Sequence, residues 1–471
     1  MQIKFCGAAR EVTGSSHLLI LDNGYTILLD CGLYQGQDED LQNLNRSWHF
    51  KPYEIDCVVL SHAHIDHCGR LPMLVRDGFK GNIYCTHATR DLCAILLLDS
   101  AKIQERDTEY SKRHKKQSGG ETTDDEPLYT EQDVRRAMQQ FITLPYERPF
   151  NICSEVKVMF RDNGHILGSA SVTLKIEQEG KPATTFGFTG DIGRPNRPIL
   201  RDPIPMPHCD YLICESTYGD RLHKSNPDER DALLKIIKDT CLKNHGKLLI
   251  PAFSVGRTQE LIYALDRLEH EHKLPRVPVY VDSPLSTSAT QIYLSHPDCF
   301  DADIMRYMLT DPNPFGFQNL RYIRRVEESK TLNYQNEASI IISASGMANA
   351  GRIKHHLRNN LEKTSTTVLM VGYCAPGTLG RRLRDGEPEV RIFGETINVN
   401  ATIEILESFS AHGDQKEMLD FIENQDRDRL QQIFLVHGEY ESQKTFKTKI
   451  EQQGFKNVQI PQNGETFEIN G

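Results

Sequence analysis

His62-Ala-His64-Ile-Asp66-His67 places three imidazoles and a carboxylate within six residues. Nitrogen and oxygen donors in that mixture suit Zn²⁺. The hexapeptide follows the apolar run Ile55–Leu60, which reads as a strand, so the ligands emerge at a strand's carboxyl end. In an extended segment His62 and His64 point the same way, and Asp66 and His67 then turn toward a neighbouring position. Four residues cannot complete two metal sites. Three more ionisable residues stand at strand ends beside glycine: His165 in Asn163-Gly164-His165, Asp191 after Phe186–Gly190, and His437 after Ile433–Val436. They supply the His, Asp and His still missing from a dinuclear site, whose two ions would share a water and lower its pKa.

A second device recurs later in the chain. Leu248–Ala252 leads through Val255-Gly256 to Arg257, and Ser339–Ser343 leads through Ser345-Gly346 and Gly351 to Arg352. Val368–Val371 leads through Gly377-Thr378 to Leu379. Strand, glycine turn and helix start expose backbone amides and the positive end of a helix dipole, which can cradle phosphate. Arg257, Ser345, Gly346, Gly351, Arg352, Gly377 and Thr378 are therefore the residues expected to hold phosphate. Tyr373 reads as a core tyrosine before a base-stacking one.

The elements that must carry these residues change character along the chain. Ile3–Cys6, Ser16–Leu21 and Tyr25–Asp30 read as short strands, followed by helical periodicity at Cys68–Arg76 and Thr89–Gln104. From His208 onward strands alternate with helices: Tyr211–Cys214, Asp228–Asn244, Lys247–Pro251, Arg257–Glu271. That alternation predicts an α/β layer with a mainly parallel sheet. After Glu395 the pattern shortens, with a helix near Gln415–Asn424, a strand Ile433–Val436 and a helix Glu441–Gly454. The expected division is 1–207, 208–395 and 396–471. Ser111–Glu126, with segregated charge, reads as a solvated loop, and Pro195–Pro207 as a linker crossing between domains.

Composition narrows the classes. The chain has 471 residues, 55 basic and 65 acidic, for a net charge of −10; 38% are hydrophobic and 25% charged. No apolar run approaches the ~18 residues of a membrane-spanning helix, and Met1-Gln-Ile-Lys-Phe-Cys lacks a secretory apolar core. The twelve cysteines never form a CxxC pair, which fits reduced thiols in a cytoplasmic protein better than disulfides. The acidic total argues against nucleic acid, but basic residues outnumber acidic ones within Arg321–Arg391.

The order HxHxDH, His165, Asp191, His437 resembles the metallo-β-lactamase fold hydrolases. Cys214-Glu215-Ser-Thr-Tyr218, Phe409-Ser-Ala-His412-Gly-Asp414 and Leu435-Val-His437-Gly resemble the three extra motifs of the β-CASP nuclease branch. The resemblance extends over essentially the whole chain, with glycine at 413 where the family usually has alanine. It implies a metallo-β-lactamase αββα sandwich with an inserted α/β domain. It also implies two zinc ions per chain: His62, His64 and His165 on one, Asp66, His67 and His437 on the other, and Asp191 between them. Asp30 would support the metal loop from behind. The implied activity is hydrolysis of single-stranded RNA, endonucleolytic or 5′-exonucleolytic, in RNA processing or decay. It would use a two-metal hydroxide mechanism with Asp66, Glu215 and His412 as catalytic residues. A Glu–His pair makes chemical sense, because the carboxylate orients the imidazole and raises its basicity for protonating a departing 3′-oxygen. RNA-processing members carry histidine at the third motif, which His437 matches. The resemblance leaves room for a homodimer. The alternative, a hydrolase of a small ester or thioester on the same fold, gives the inserted domain and the Glu215–His412 pair no task.

Overall fold

A computed structural model describes the chain apart from residues 37–38, 118–125, 224–228, 373, 376, 407–410 and 470–471, and apart from the side chains at 39–42 and 113–117. The chain forms two compact units: Met1–Leu222 together with His412–Gly471, and His223–Ala411.

The first unit holds two seven-stranded sheets. One runs Thr466–Glu468, Gln2–Phe5, His17–Ile20, Thr26–Leu29, Cys57–Val59, Asn82–Thr86, Phe141–Leu144. Its first pairs are antiparallel, and pairing turns parallel from Thr26–Leu29 onward. The other runs Val458–Gln459, Gln432–Val436, Tyr211–Glu215, Thr184–Phe188, Ala170–Ile176, Val156–Asp162, Phe150–Asn151. Val156–Asp162 alternates buried and half-buried residues, the period of a strand with one face on a core. Both sheets contribute to one apolar core, Ile3, Leu19, Ile27 and Val59 meeting Val158, Val172, Phe186, Ile213 and Phe434. A second layer, Met418, Phe421, Phe446 and Ile450, comes from the helices Gln415–Ile422 and Tyr440–Gln452 and covers Leu212, Cys214, Ile433 and Leu435. Leu212 and Ile213 thus face opposite sides of one sheet. The helix His87–Gln117 packs against Asn82–Thr86. This is the expected layered sandwich.

The second unit holds an all-parallel six-stranded sheet, ordered Leu320–Tyr322, Val279–Val281, Ser339–Ser343, Lys247–Pro251, Thr367–Met370, Thr402–Ile405, and an antiparallel pair, Glu389–Ile392 with Glu395–Asn398. The central strands of the parallel sheet read as unbroken apolar runs such as Ile340-Ile-Ile342, because parallel sheets are covered on both faces.

Four expectations meet a different structure. The divisions fall at 222/223 and 411/412 rather than 207/208 and 395/396. Tyr211–Glu215 pairs with Thr184–Phe188 and Gln432–Val436 in the first unit, whereas Thr402–Ile405 pairs with Thr367–Met370 in the second. Pro195–Pro207 crosses between no units. It stays in the first, where Ile199 and Met206 are buried and Ile204 donates its N–H to Asp162. The segment from Ser111 is helical through Gln117, lysine and arginine being good helix formers; the rest of that expected loop, 118–125, lies outside the described residues. The helix expected over Asp228–Asn244 is α-helical at Glu229–Ile237 and π-helical at Lys238–Lys243.

Candidate metal centre

The candidate ligands come from strand ends of the first unit and from the short helix that follows one of them. Cys57–Val59 delivers His62, and the short helix Ile65–Cys68 turns Asp66 and His67 inward. Gly164 adopts φ +63 before His165, and His437 itself adopts φ 52 where the chain leaves Gln432–Val436. The donors form two groups. His62 Nε2 lies 3.1 Å from His64 Nδ1, which lies 3.1 Å from His165 Nε2. Asp191 Oδ2 is 3.4 Å from His62 Nε2 and 3.5 Å from His165 Nε2. In the second group His67 Nε2 is 3.1 Å from His437 Nε2, and Asp66 Oδ2 is 3.4 Å from the latter. Asp191 Oδ1 stands 3.3 Å from His67 Nε2 and 3.7 Å from His437 Nε2. One carboxylate therefore turns one oxygen to each group.

These spacings suit an ion. Tetrahedral zinc held at ~2.0–2.1 Å places neighbouring donors ~3.3–3.4 Å apart. Asp191 Oδ1 is buried without a hydrogen-bond partner, which a cation would supply. Tautomers point the same way. Asp30 Oδ2 accepts from Ser61 Oγ at 2.9 Å and from His67 Nδ1 at 2.7 Å. Ser61 Oγ can then accept from His62 Nδ1 at 3.0 Å. His437 Nδ1 donates to Thr217 Oγ1 at 3.0 Å, and that hydroxyl donates to Glu215 Oε2 at 2.6 Å. Nε2 lone pairs of His62, His67 and His437 are thereby left facing the centre.

The electrostatics follow from crowding. Burial, reinforced by neighbouring imidazoles, lowers the pKa of His62 and His165 well below the ordinary value. Burial likewise brings His64 down to about 4. Burial also opposes ionisation of Asp191, but the surrounding imidazoles, His437 foremost, outweigh it and hold the carboxyl well below its usual range. His67 is shifted upward despite burial because Asp191, Asp30 and Asp66 surround it. For His62, His64, His165 and Asp191 these are the protonation states that bind metal, whereas His67 must give up its proton to do so.

A third cluster adjoins the first two. Glu215 Oε1 and Oε2 each lie 3.3 Å from His412 Nδ1, and Asp191 Oδ2 lies 3.9 Å from it. His412 is placed by backbone pairing with Gly193 and by the Gly413 N–H donated to Ile192, the two residues after Asp191. Burial disfavours the imidazolium, but Glu215 and Asp191 outweigh it and push His412 up to about 9. The Glu215 and Asp191 side chains are nearly inaccessible, whereas His412 is 20% exposed and Asp66 17%. Asp414, beside His412, caps the helix Gln415–Ile422 through a capping box with Glu417. Phe409 and Ser410 of the same motif lie outside the described residues, as does Tyr373.

Three family models match along the chain: the metallo-β-lactamase superfamily at residues 10–140, the Beta-Casp domain at 258–383, and the Zn-dependent metallo-hydrolase RNA specificity domain at 396–461. The chain is 36% identical to ribonuclease TTHA0252 of Thermus thermophilus, over 94% of both chains. The chain belongs to the β-CASP ribonuclease family of the metallo-β-lactamase superfamily. It is also similar to the transcription termination factor FttA of Pyrococcus horikoshii, 30% identical over all of this chain and 71% of that protein. A protein of unknown function from Enterococcus faecalis shares the fold, with a TM-score of 0.55 and 14% identity over 99% of each chain.

All seven ligands named by the β-CASP resemblance, with Asp30, Glu215 and His412, thus converge within one unit. Sequence reasoning missed Ser61 and Thr217, which set tautomers. It also missed the role of Asn163, whose amide donates to the Asp191 carbonyl. Each adjoins or lies inside a motif, and that adjacency was the available signal. The residues expected to hold phosphate belong to the other unit, and their arginines turn inward. Arg257 pairs with Glu260. Arg352 donates to Asp282 Oδ1 at 2.6 Å and to the carbonyls of Ile323 and Arg324. Asp282 is fully buried and also accepts from Ser329 and from His356 Nε2 at 2.7 Å. The turns are likewise occupied internally. Ser345 bonds Ala350, a Cβ at Gly346 would press on Phe253, and Thr378 caps its own helix. Gly351 and Gly377 adopt φ +78 and +79, as tight turns require. Arg352→Ala should therefore cost about 1–3 kcal/mol of stability by stranding a buried carboxylate. A lower midpoint in urea with unchanged zinc content is the expected result, and an unchanged midpoint would return Arg352 to phosphate binding.

Proposed function

We propose that this chain hydrolyses phosphodiester bonds of single-stranded RNA with two zinc ions and with His412 as general acid. His62, His64, His165 and Asp191 would hold one ion; Asp66, His67, His437 and the other oxygen of Asp191 would hold the second. Zinc, when bound, supplies Lewis acidity toward a phosphoryl oxygen and makes water more acidic. Asp66, the more exposed carboxylate, accepts the proton released by the attacking water. Glu215 holds His412 through Nδ1, so the proton reaches the departing 3′-oxygen from Nε2. Thr217 couples this acid to the metal cluster by joining Glu215 to His437.

The observation that carries the reading is the Glu215–His412 pair beside Asp191, an acid kept charged next to the metal donors. An activated ester or thioester needs little leaving-group protonation, whereas a phosphodiester alkoxide needs much. The RNA specificity domain match and the ribonuclease name of the Thermus relative favour RNA over DNA. A cytoplasmic location fits the twelve free thiols, eleven of them buried, and no described helix is long and apolar enough to cross a membrane. Incubation of the zinc-loaded protein with end-labelled RNA and DNA of matched sequence tests the reading. RNA should be cut and DNA spared, a ladder indicating endonucleolytic cuts and mononucleotides an exonuclease. No cleavage of RNA with both zincs bound would overturn it.

A further inference from the structure

We infer that a basic pocket beside the metal centre binds phosphates of the substrate strand that flank the scissile bond; the inference rests on the ribonuclease reading above. The pocket belongs to the first unit, has a volume of about 450 Å³, and is lined by Arg10, Tyr440, Lys444, Lys447, Glu451 and neighbours. Arg10 lies 4.6 Å from the centre of the Tyr440 ring, and Lys444 Nζ lies 4.9 Å from it. Two cations on one partly exposed aromatic form a surface for a polyanion carrying flat bases.

Its position ties it to catalysis. Tyr440 follows His437 by three residues, so their Cα atoms are no more than ~11.4 Å apart at ~3.8 Å per step. The loop bearing Arg10 is hydrogen-bonded to the metal-bearing segment: His437 donates its N–H to Ala8 at 2.7 Å, and Gly438 donates to Glu11 at 3.1 Å. Arg10 adopts φ 64, a left-handed conformation costly for an arginine. Its Nη2 donates to the Ile460 carbonyl, while its Nε is shielded from solvent without an acceptor. Carboxylates are present too. Glu441 lies 2.6 Å from Lys444 Nζ, and Glu451 lies 3.7 Å from Lys447 Nζ. The first pair is solvent-exposed and the second partly so, so each is weak and can yield to phosphate. With three cations against one lining carboxylate, the wall favours an anion.

The test measures kcat and KM of the zinc-loaded protein on an RNA of about 20 nucleotides and on a tetranucleotide, over a range of KCl concentrations. Lys444→Gln/Lys447→Gln should raise KM for the long RNA about tenfold and leave kcat within about twofold. The dependence of log(kcat/KM) on log[KCl] should flatten by ~0.7 for each phosphate that is no longer neutralised. The tetranucleotide, which carries few phosphates beyond the scissile one, should respond less. Both lysines are surface residues, so melting temperature and zinc content should hold; Arg10→Ala serves as the second variant. Unchanged KM and slope in an RNA-cleaving protein would overturn the pocket and leave the ribonuclease reading standing. Unchanged slope with weakened retention on immobilised polyglutamate would assign the pocket to an acidic protein and overturn it equally. A wild-type protein inert toward RNA would overturn both.

Discussion

His412→Ala should reduce RNA cleavage by ~10²–10⁴-fold while both zincs and RNA binding are retained. A ribose alkoxide is a poor leaving group near neutral pH, so removing a positioned acid leaves water to do the protonation. A nitrophenyl phosphodiester, whose leaving group departs unprotonated, should be largely spared. The contrast between the two substrates isolates the acid step from metal binding. Equal losses on both, with zinc intact, would take His412 out of that role. Lost zinc would make it a ligand, which its 3.9 Å approach to Asp191 keeps as the competing outcome.

Asp191→Ala should be as severe for a different reason. Two dications bring four positive charges into a buried cluster whose ligands supply two negative ones, from Asp66 and Asp191. Removing Asp191 takes away half of that compensation and one donor from each group at once, and an uncompensated charge in a buried site is expensive. Zinc content measured by elemental analysis should fall from two per chain to one or none, and cleavage by on the order of 10³-fold. Two retained ions with near-normal activity would refute the shared-carboxylate arrangement.

What the sequence made legible is unequal. The ligands could be read because histidine and aspartate at strand ends are rare enough to be noticed and because HxHxDH is compact. The α/β layer could be read from the alternation of strands and helices after His208, as in Lys247–Pro251 followed by Arg257–Glu271. The second hydrogen bonds of those ligands could not. Ser61 and Thr217 are common residue types, and only the folded register reveals that their hydroxyls reach His62, His437 and Glu215. Arg352 illustrates the same point: an arginine after a glycine turn reads as a phosphate ligand, and only the fold shows that it pairs with Asp282, 70 residues away. The compact units divide at 222/223 and 411/412 because strand partners decide them. Nothing local to Tyr211–Glu215 says that its neighbour is Gln432–Val436.

That pairing also governs the order in which the protein can be completed. Tyr211–Glu215 is synthesised long before Gln432–Val436, with the whole unit His223–Ala411 in between. At ~5–20 residues per second those 411 − 222 = 189 residues take roughly 10–40 s to translate. Throughout that interval the strand carrying Glu215 has an unpaired edge open to wrong partners, and the nascent chain lacks both His412 and His437. Under the proposed mechanism an unfinished copy therefore has neither the acid nor a complete second ligand group, and a ribosome would not present a working nuclease to the messenger it is still reading.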